Sequence, residues 1–444
     1  MKIFVTILIG FFVTFCSEQQ ELLERIKHSG ELRVVTRASP TTCYRSGNRL
    51  VGFECSLARR FAEELGVRLK VILVENDRDV IRAMERGEGD LAAGINTVFA
   101  NGSPIHFGPV YQEIRRKVVY RRGEKRPGNV QDLAGRLVEV ASGHGYAAML
   151  RKLSEREPDL IWREHSLSDT QALLSLVLQR KVDLTIVDSN EIALLRQHYP
   201  ELRSAFELGK PQALAWGTSL NADDSLHLQI LLFFEKIKKS GELGNIIERH
   251  YGHMGQFNYV ETHLFLRHAR TRLPGYIAYF KKAAAKYGLD WRLLSAIGYQ
   301  ESHWNPDAVS PTGVRGIMML TTQTARQLGV ADRTDEEDSI LGGARYFAQT
   351  RARLPGRIEE PDRTWFALAA YNVGLGHLED ARILAQRAGS NPDRWRDVRE
   401  FLPLISKEEW YTKTKHGYAR GHEPVQFVRN IRRYYDRLVW LDRQ

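Results

Sequence analysis

Leu293, Ile297 and Glu301 recur every four residues, so a helix would place all three on one face. A carboxyl group there, in the last turn, meets two influences that oppose its charge. Apolar neighbours withhold water, and the carbonyl end of a helix is negative. Both raise its pKa. Such a group stays protonated near neutral pH and can hand its proton to a glycosidic oxygen. The following loop, Ser310 to Gly316, is punctuated by glycine and can approach a ligand closely. A glutamate that only reaches solvent past the helix end would show the same spacing, so the surroundings of the motif must decide.

Ordinary glycosidases flank the bond with two carboxylates. This motif offers one. Asp307 is near in sequence, but it lies in a turn and reads as an Asx-turn residue.

The elements that would carry Glu301 are helical. Asp290 is the expected N-cap of its helix, which is read over Asp290 to Ser302. From about residue 262 onward the strand signal vanishes. Pro274–Gly288, Thr321–Leu328, Ile340–Arg353, Thr364–Asn372 and Glu423–Leu438 read as further helices, broken at Gly329, Pro355-Gly356 and Gly374. Residues 30–250 instead alternate strands and helices. Strands are read at Leu32–Thr36, Val67–Val74, Asp90–Ile95, Val118–Tyr120, Leu137–Val140 and Leu184–Val187, with helices at Ser56–Leu65 and Val80–Glu85. That alternation predicts parallel sheets covered by helices on both faces. The junction is placed near Gly252 to Tyr259. With no low-complexity linker there, the halves are expected to pack together.

The chain has 444 residues, enough for two or three cores, and a formal charge of +10 that favours anionic partners. No basic-aromatic stripe points to nucleic acid, and none is expected as a partner. Lys2 and the apolar run Ile3 to Phe15 read as a secretory signal or anchor, too short to span a bilayer comfortably. Cys16 after that run has the place of a lipidated cysteine, although Phe15 is larger than such sites prefer. Lipidation, an uncleaved anchor and ordinary cleavage all stay open. In an exported chain Cys43 and Cys55 could close a short loop; a disulfide and two free thiols are both open. No cysteine–histidine cluster has metal-ligand spacing and no dinucleotide glycine pattern occurs, so neither metal nor cofactor is expected.

Two stretches resemble known families. Gly30 to Arg37, Gly52-Phe53-Glu54, Phe61 to Val67 and Gly87 to Gly94 resemble the periplasmic solute-binding family 3 domain. The resemblance implies two α/β lobes around a ligand cleft, one from 31–110 plus 205–250 and the other from 111–204. It also implies a ligand ammonium site at Asp188, which by its place after a strand could equally be a helix N-cap. Ser142-Gly143-His144-Gly145, between a strand and a helix, could offer N–H groups to an anion, with Ser142 as contact. Amino-acid binders of the family usually carry an arginine after the strand that here ends Ile95-Asn96-Thr97. This chain has Val98 to Ser103 instead, which argues against a free amino acid and leaves a peptide, a muropeptide or no ligand.

Glu301-Ser302, Asn305-Pro306, Ser310 to Gly313, Gly316 to Leu320, Ala369 to Gly374 and Glu423 to Ile431 resemble the lytic transglycosylase domain of glycoside hydrolase family 23. The implied fold is lysozyme-like and helical. The implied activity is non-hydrolytic cleavage of the β-1,4 bond between N-acetylmuramic acid and N-acetylglucosamine in peptidoglycan, with Glu301 as acid and then base. Substrate contacts are implied for Ser310, Thr312, Met318, Tyr371, Asn372 and Glu423. Met319 stands where many members have glutamine, and Phe427 where many have tyrosine, which keeps a non-catalytic peptidoglycan- or solute-binding protein as the alternative. A hydrolytic muramidase would need a second acid.

The whole reads as a signal or anchor segment over 1–20, a two-lobed solute-binding-like regulatory domain over 21–255 and a catalytic domain over 262–444. The expected setting is the periplasm at the outer membrane. Partners would be glycan strands, muropeptides or stem peptides at the first domain, and a membrane surface met by anchor or peripheral contact.

Overall fold

The computed structural model describes residues 21–442, apart from 48, 100–101, 166–169, 197, 252–258 and 311–312. The N-terminal signal with Cys16, Thr312 and most of the expected junction lie outside the described residues.

Two large sheets and a two-stranded ribbon, Tyr44–Ser46 with Arg49–Val51, are described in the first half. One runs Arg68–Val74, Glu31–Arg37, Leu91–Asn96, Gln212–Ser219, Ile105–Phe107, with Gln112–Ile114 also paired to Gln212–Ser219. The other runs Ile161–His165, Leu137–Ala141, Leu184–Asp188, Arg116–Arg121, Leu202–Glu207. The α/β alternation holds, but the sheets are mixed rather than parallel. Gln212–Ser219 is antiparallel to its neighbours in the first sheet, and Arg116–Arg121 in the second. The reason is the double crossing between lobes: a strand arriving from the other lobe enters the sheet from its opposite end. The lobe boundary also shifts. Leu202–Glu207 pairs with Arg116–Arg121, so 205–207 belong to the second lobe rather than the first, while Gln112–Ile114 pairs with Gln212–Ser219 and belongs to the first rather than the second.

A buried carboxyl ties the crossings together. Glu54 accepts from the Tyr111 hydroxyl at 2.5 Å and from Trp216 Nε1 at 2.8 Å, and these lie at the outgoing and returning strands. Burial pushes its pKa up to about 7. One residue further on, Cys55 is bonded to Cys43, with Cα atoms 5.2 Å apart. The disulfide pins the start of helix Phe53–Leu65, which begins earlier than its sequence period suggests.

The second half is helical around helix Trp291–Ser302, which packs against Ile277–Tyr287 and His422–Leu441. Helices Tyr259–Thr271, Leu375–Arg387, Trp395–Val398 and Glu408–Tyr411 escaped the periodicity reading. Two of them are four-residue pieces, too short for a period to show.

The halves do pack together. Glu248 of helix Glu242–Tyr251 accepts from Arg432 at 2.7 Å and Arg399 at 2.9 Å, and Arg249 donates to Asp362 at 2.8 Å. From the second lobe, His198 stacks on Trp440 at 4.6 Å between ring centres. Glu248 and Arg432 are both buried, so this junction is a paired charge site sealed from water.

Candidate functional site

Helix Trp291–Ser302 is fixed at both ends. Asp290 caps it by accepting from Arg292 N at 2.9 Å, and also accepts from Tyr435. At the other end His303 and Trp304 both have positive φ, 53° and 52°, which turns the chain sharply. Trp304 is fully buried and its Nε1 donates back to the Ser295 carbonyl at 2.8 Å. Ser302 Oγ donates to the Ile317 carbonyl at 2.9 Å, so the helix end is clamped to the Gly316–Leu320 stretch. Arg272 donates to the His303 carbonyl at 3.0 Å. The bonds of Ser302, Trp304 and Arg272 fix the helix end from which Glu301 projects.

Glu301 sits half-buried at this end, in a cleft of about 960 Å³. Burial alone pushes its pKa up to about 8. Among the described residues no cation offsets that burial, so the group favours its protonated form at neutral pH. The negative end of the helix, expected to add to the shift, is not among its causes.

The cleft gathers Ser310, Tyr371, Asn372 and Glu423 around Glu301, from three separate segments. The Tyr371 hydroxyl donates to the Met318 carbonyl at 3.1 Å, and its ring stacks on Phe427 and meets Tyr346 edge-on at 5.0 Å. The charge of Glu301 contributes, after burial, to raising the Tyr371 pKa. Ser310 Oγ accepts from Val314 N at 3.0 Å, shaping the glycine loop. Glu423 is exposed and pairs with Arg420 at 3.2 Å.

Met318 does not line the cleft. Its side chain is fully buried against Gly343 and Gly298, where a Cβ would collide with or crowd it. The neighbour Met319, at φ 47°, lines the cleft instead. The sequence could not distinguish two adjacent methionines; the left-handed turn does. The turn near Asp307 is made by Asn305, whose Oδ1 accepts from Asp307 N at 3.4 Å. His268, Arg272, His303 and Tyr346 also line the cleft and were not anticipated. Of these, only His303 lies beside the motif, directly after Glu301-Ser302.

In the first half, the buried cation between the lobes is Arg37, far in sequence from the stretch after Thr97. Arg37 of the first lobe meets His144 of the second at 2.6 Å, and Asp77 lies 3.9 Å from Arg37. Burial opposes the Arg37 charge, but Asp77, Glu191 and Asp188 overcome it and hold the guanidinium firmly protonated. Burial raises Asp188 and pushes Glu191 up to about 6, with Arg37 opposing both. Asp188 stands at the N-cap position of helix Ser189–Leu195 without capping it by side chain, and its buried Oδ1 accepts no hydrogen bond among the described residues. Ser142 precedes Gly143, where a Cβ would strike Asn76 of the other lobe at 2.4 Å. The lobes are therefore closed on each other. A cavity of about 250 Å³ remains between Arg37, His144, Thr170 and Glu191. No group of side chains among the described residues could hold a metal ion.

Comparison with known proteins adds the family. Residues 278–392 match the Transglycosylase SLT domain, and residues 32–253 match the bacterial extracellular solute-binding proteins, family 3. The chain is 47% identical to membrane-bound lytic murein transglycosylase F 1 of Alkalilimnicola ehrlichii over 94% of its own length and 85% of the relative's. It is 44% identical to membrane-bound lytic murein transglycosylase F of Pseudomonas fluorescens over 98% and 90%. The crystal structure of the cysteine-binding protein of Campylobacter jejuni covers 53% of this chain and 96% of its own, with TM-score 0.47 and 15% identity. By length, order of domains and identity, the chain belongs to the membrane-bound lytic murein transglycosylase F family.

Proposed function

We propose that Glu301 is the acid and base with which this peptidoglycan lytic transglycosylase cleaves its substrate. The observation that carries the assignment is a carboxyl held protonated by burial, with its pKa near 8, at the rigid end of a helix facing a glycan-sized cleft. The other carboxylate on the cleft wall, Glu423, is exposed and already paired.

Glu301 gives its proton to the oxygen leaving C1 of the muramyl residue. The C1–O bond breaks and positive charge develops at C1 and the ring oxygen. Glu301, now a carboxylate, takes the proton of the muramyl C6 hydroxyl, and O6 closes on C1. The products are a free N-acetylglucosamine 4-hydroxyl and a 1,6-anhydromuramyl end, with no water consumed and Glu301 protonated again. The substrate supplies its own nucleophile, so intramolecular proximity replaces a second catalytic carboxylate. Tyr371, pinned on the Met318 carbonyl, forms a rigid wall beside Glu301. Ser310, Thr312, Asn372 and Glu423 are assigned to hold the sugars on either side of the bond.

The first domain is assigned a regulatory role. Carboxylates Asp188, Asp77 and Glu191 face cations Arg37 and Arg116 across closed lobes, a pattern suited to a zwitterionic ligand such as a stem peptide or muropeptide. The N-terminal run Ile3 to Phe15, with Cys16 behind it, supports residence in the periplasm on the outer membrane.

The test is digestion of purified peptidoglycan by the full chain and by Glu301→Gln, read by mass spectrometry. Anhydromuropeptides from the unsubstituted protein alone are the expected result. Hydrated products would replace the mechanism with hydrolysis; identical products from both proteins would remove Glu301 from it.

A further inference from the structure

Helix Ser225–Lys239 packs Leu226, Ile230, Phe233, Phe234 and Ile237 into the first lobe's core. Its outer face is also apolar. Leu228, Leu231 and Leu232 are 55%, 37% and 56% exposed, and Leu220, just before the helix, is 57% exposed. Spacings of three and four put the three helical leucines on one stripe. A single exposed leucine is ordinary, but three on one stripe of one helix are not.

The same helix ends in exposed Lys236, Lys238 and Lys239, which bond at the surface to Glu64, the Val110 carbonyl and Glu235. The acids at its start are engaged. Asp223 accepts from Leu22 N and Ser225 N, and Asp224 lies 3.5 Å from His106. An apolar stripe running into lysines is the composition that settles on an anionic lipid surface.

A second observation places that surface. The chain enters the described domain at this spot: Leu22 N donates to Asp223 Oδ2 at 2.7 Å and Leu23 N to Ser225 Oγ at 3.0 Å. The apolar run of the segment read as an anchor ends at Phe15, with Cys16 directly behind it. From there to Glu21 the chain can reach about 17 Å at most. Any bilayer that holds the anchor is thus held close to the start of this helix.

We propose that the leucine stripe of helix Ser225–Lys239 is a lipid-docking face that seats the first lobe on the bilayer beside the anchor. The proposal rests on the reading of the N-terminal segment as a membrane anchor. It makes the anchor and the stripe a two-point attachment, which fixes how the first lobe stands on the membrane where a tether alone would let it swivel.

The experiment uses the full chain with Leu232→Cys, labelled with bimane and incorporated into vesicles of phosphatidylethanolamine and phosphatidylglycerol containing doxyl lipids. Ile161→Cys, at a site 54% exposed on the second lobe, is the reference, and the unsubstituted chain corrects for label on Cys16. Docking predicts lipid quenching about threefold stronger at position 232 than at 161, abolished by Leu228→Gln with Leu231→Gln. Protein that floats with the vesicles but is quenched equally at both sites would overturn the docking face and leave the anchor standing. Protein that does not float would remove the anchor reading, and the proposal with it. A label shielded without lipid quenching, in protein that sediments as a dimer, would give the face to a second copy and overturn the proposal.

Discussion

The Tyr371 hydroxyl donates to the Met318 carbonyl at 3.1 Å, joining the helix Asp362–Val373 to the stretch that Ser302 also grips. Through Met318 and Ile317, two walls of the Glu301 cleft share one backbone segment. Tyr371→Phe keeps the ring stack on Phe427 but leaves that carbonyl without its partner, a loss of about 1–3 kcal/mol. The expected result is a melting temperature lower by a few degrees and turnover reduced roughly tenfold through a looser site. Thermal unfolding and rates on purified sacculi check the two effects.

The pH profile follows from Glu301. Its pKa lies near 8 because burial disfavours the carboxylate, so the proton needed for the first step is present below that pH and lost above it. Cleavage should fall as pH rises through about 8. Mass-spectrometric yields between pH 5 and 9 measure it; a decline centred near 4.5 would show an unburied Glu301.

Stability should respond in the same window. The folded pKa exceeds the ordinary 4.5, so the unfolded chain ionises first. The neutral carboxyl's relative stability is present below about 4.5 and lost as pH rises through about 8. For a half-buried group this amounts to roughly 2–3 kcal/mol at pH 8. Glu301→Gln, which cannot ionise, should melt higher than the unsubstituted protein at pH 8 and equally at pH 4. Calorimetry at both pH values reads the difference.

At the junction of the halves, Glu248→Ala would strand Arg432, which is 3% exposed and paired at 2.7 Å. Removing one partner of a buried pair costs about 3–5 kcal/mol. Unfolding should separate into two transitions as the halves uncouple. Glu248→Ala combined with Arg432→Met should recover part of the loss.

Reduction of the Cys43–Cys55 bond opens a loop of 12 residues' separation and should destabilise the first domain by about 2–4 kcal/mol. The first-domain transition should fall on adding reductant while the catalytic half holds. Calorimetry of the full chain with and without reductant distinguishes them.

Much of this was legible from sequence because periods of two and 3.6 residues are local properties. They located the helix that carries Glu301 to within one residue at its start and at its end, and separated an α/β half from a helical one. Crossing strands were not legible as antiparallel, since direction depends on which lobe a strand arrives from. Thr321 marked a helix start that the structure caps with its own hydroxyl on Thr324 N. Leu375–Arg387 follows Gly374 after no real loop, and its start was masked by that glycine.

The sequence by itself determined the single glutamate, its place in the last turn of an apolar helix, and the family. These are matters of residue type and local spacing. Tertiary structure decided that Glu301 is buried enough to hold its proton, that Met319 and not Met318 faces the cleft, and that Arg37, Asp77, His144 and Asp188 meet between the lobes. Burial and cross-chain distance are set by packing among segments up to 151 residues apart here, as from Arg37 to Asp188. No local pattern carries that information.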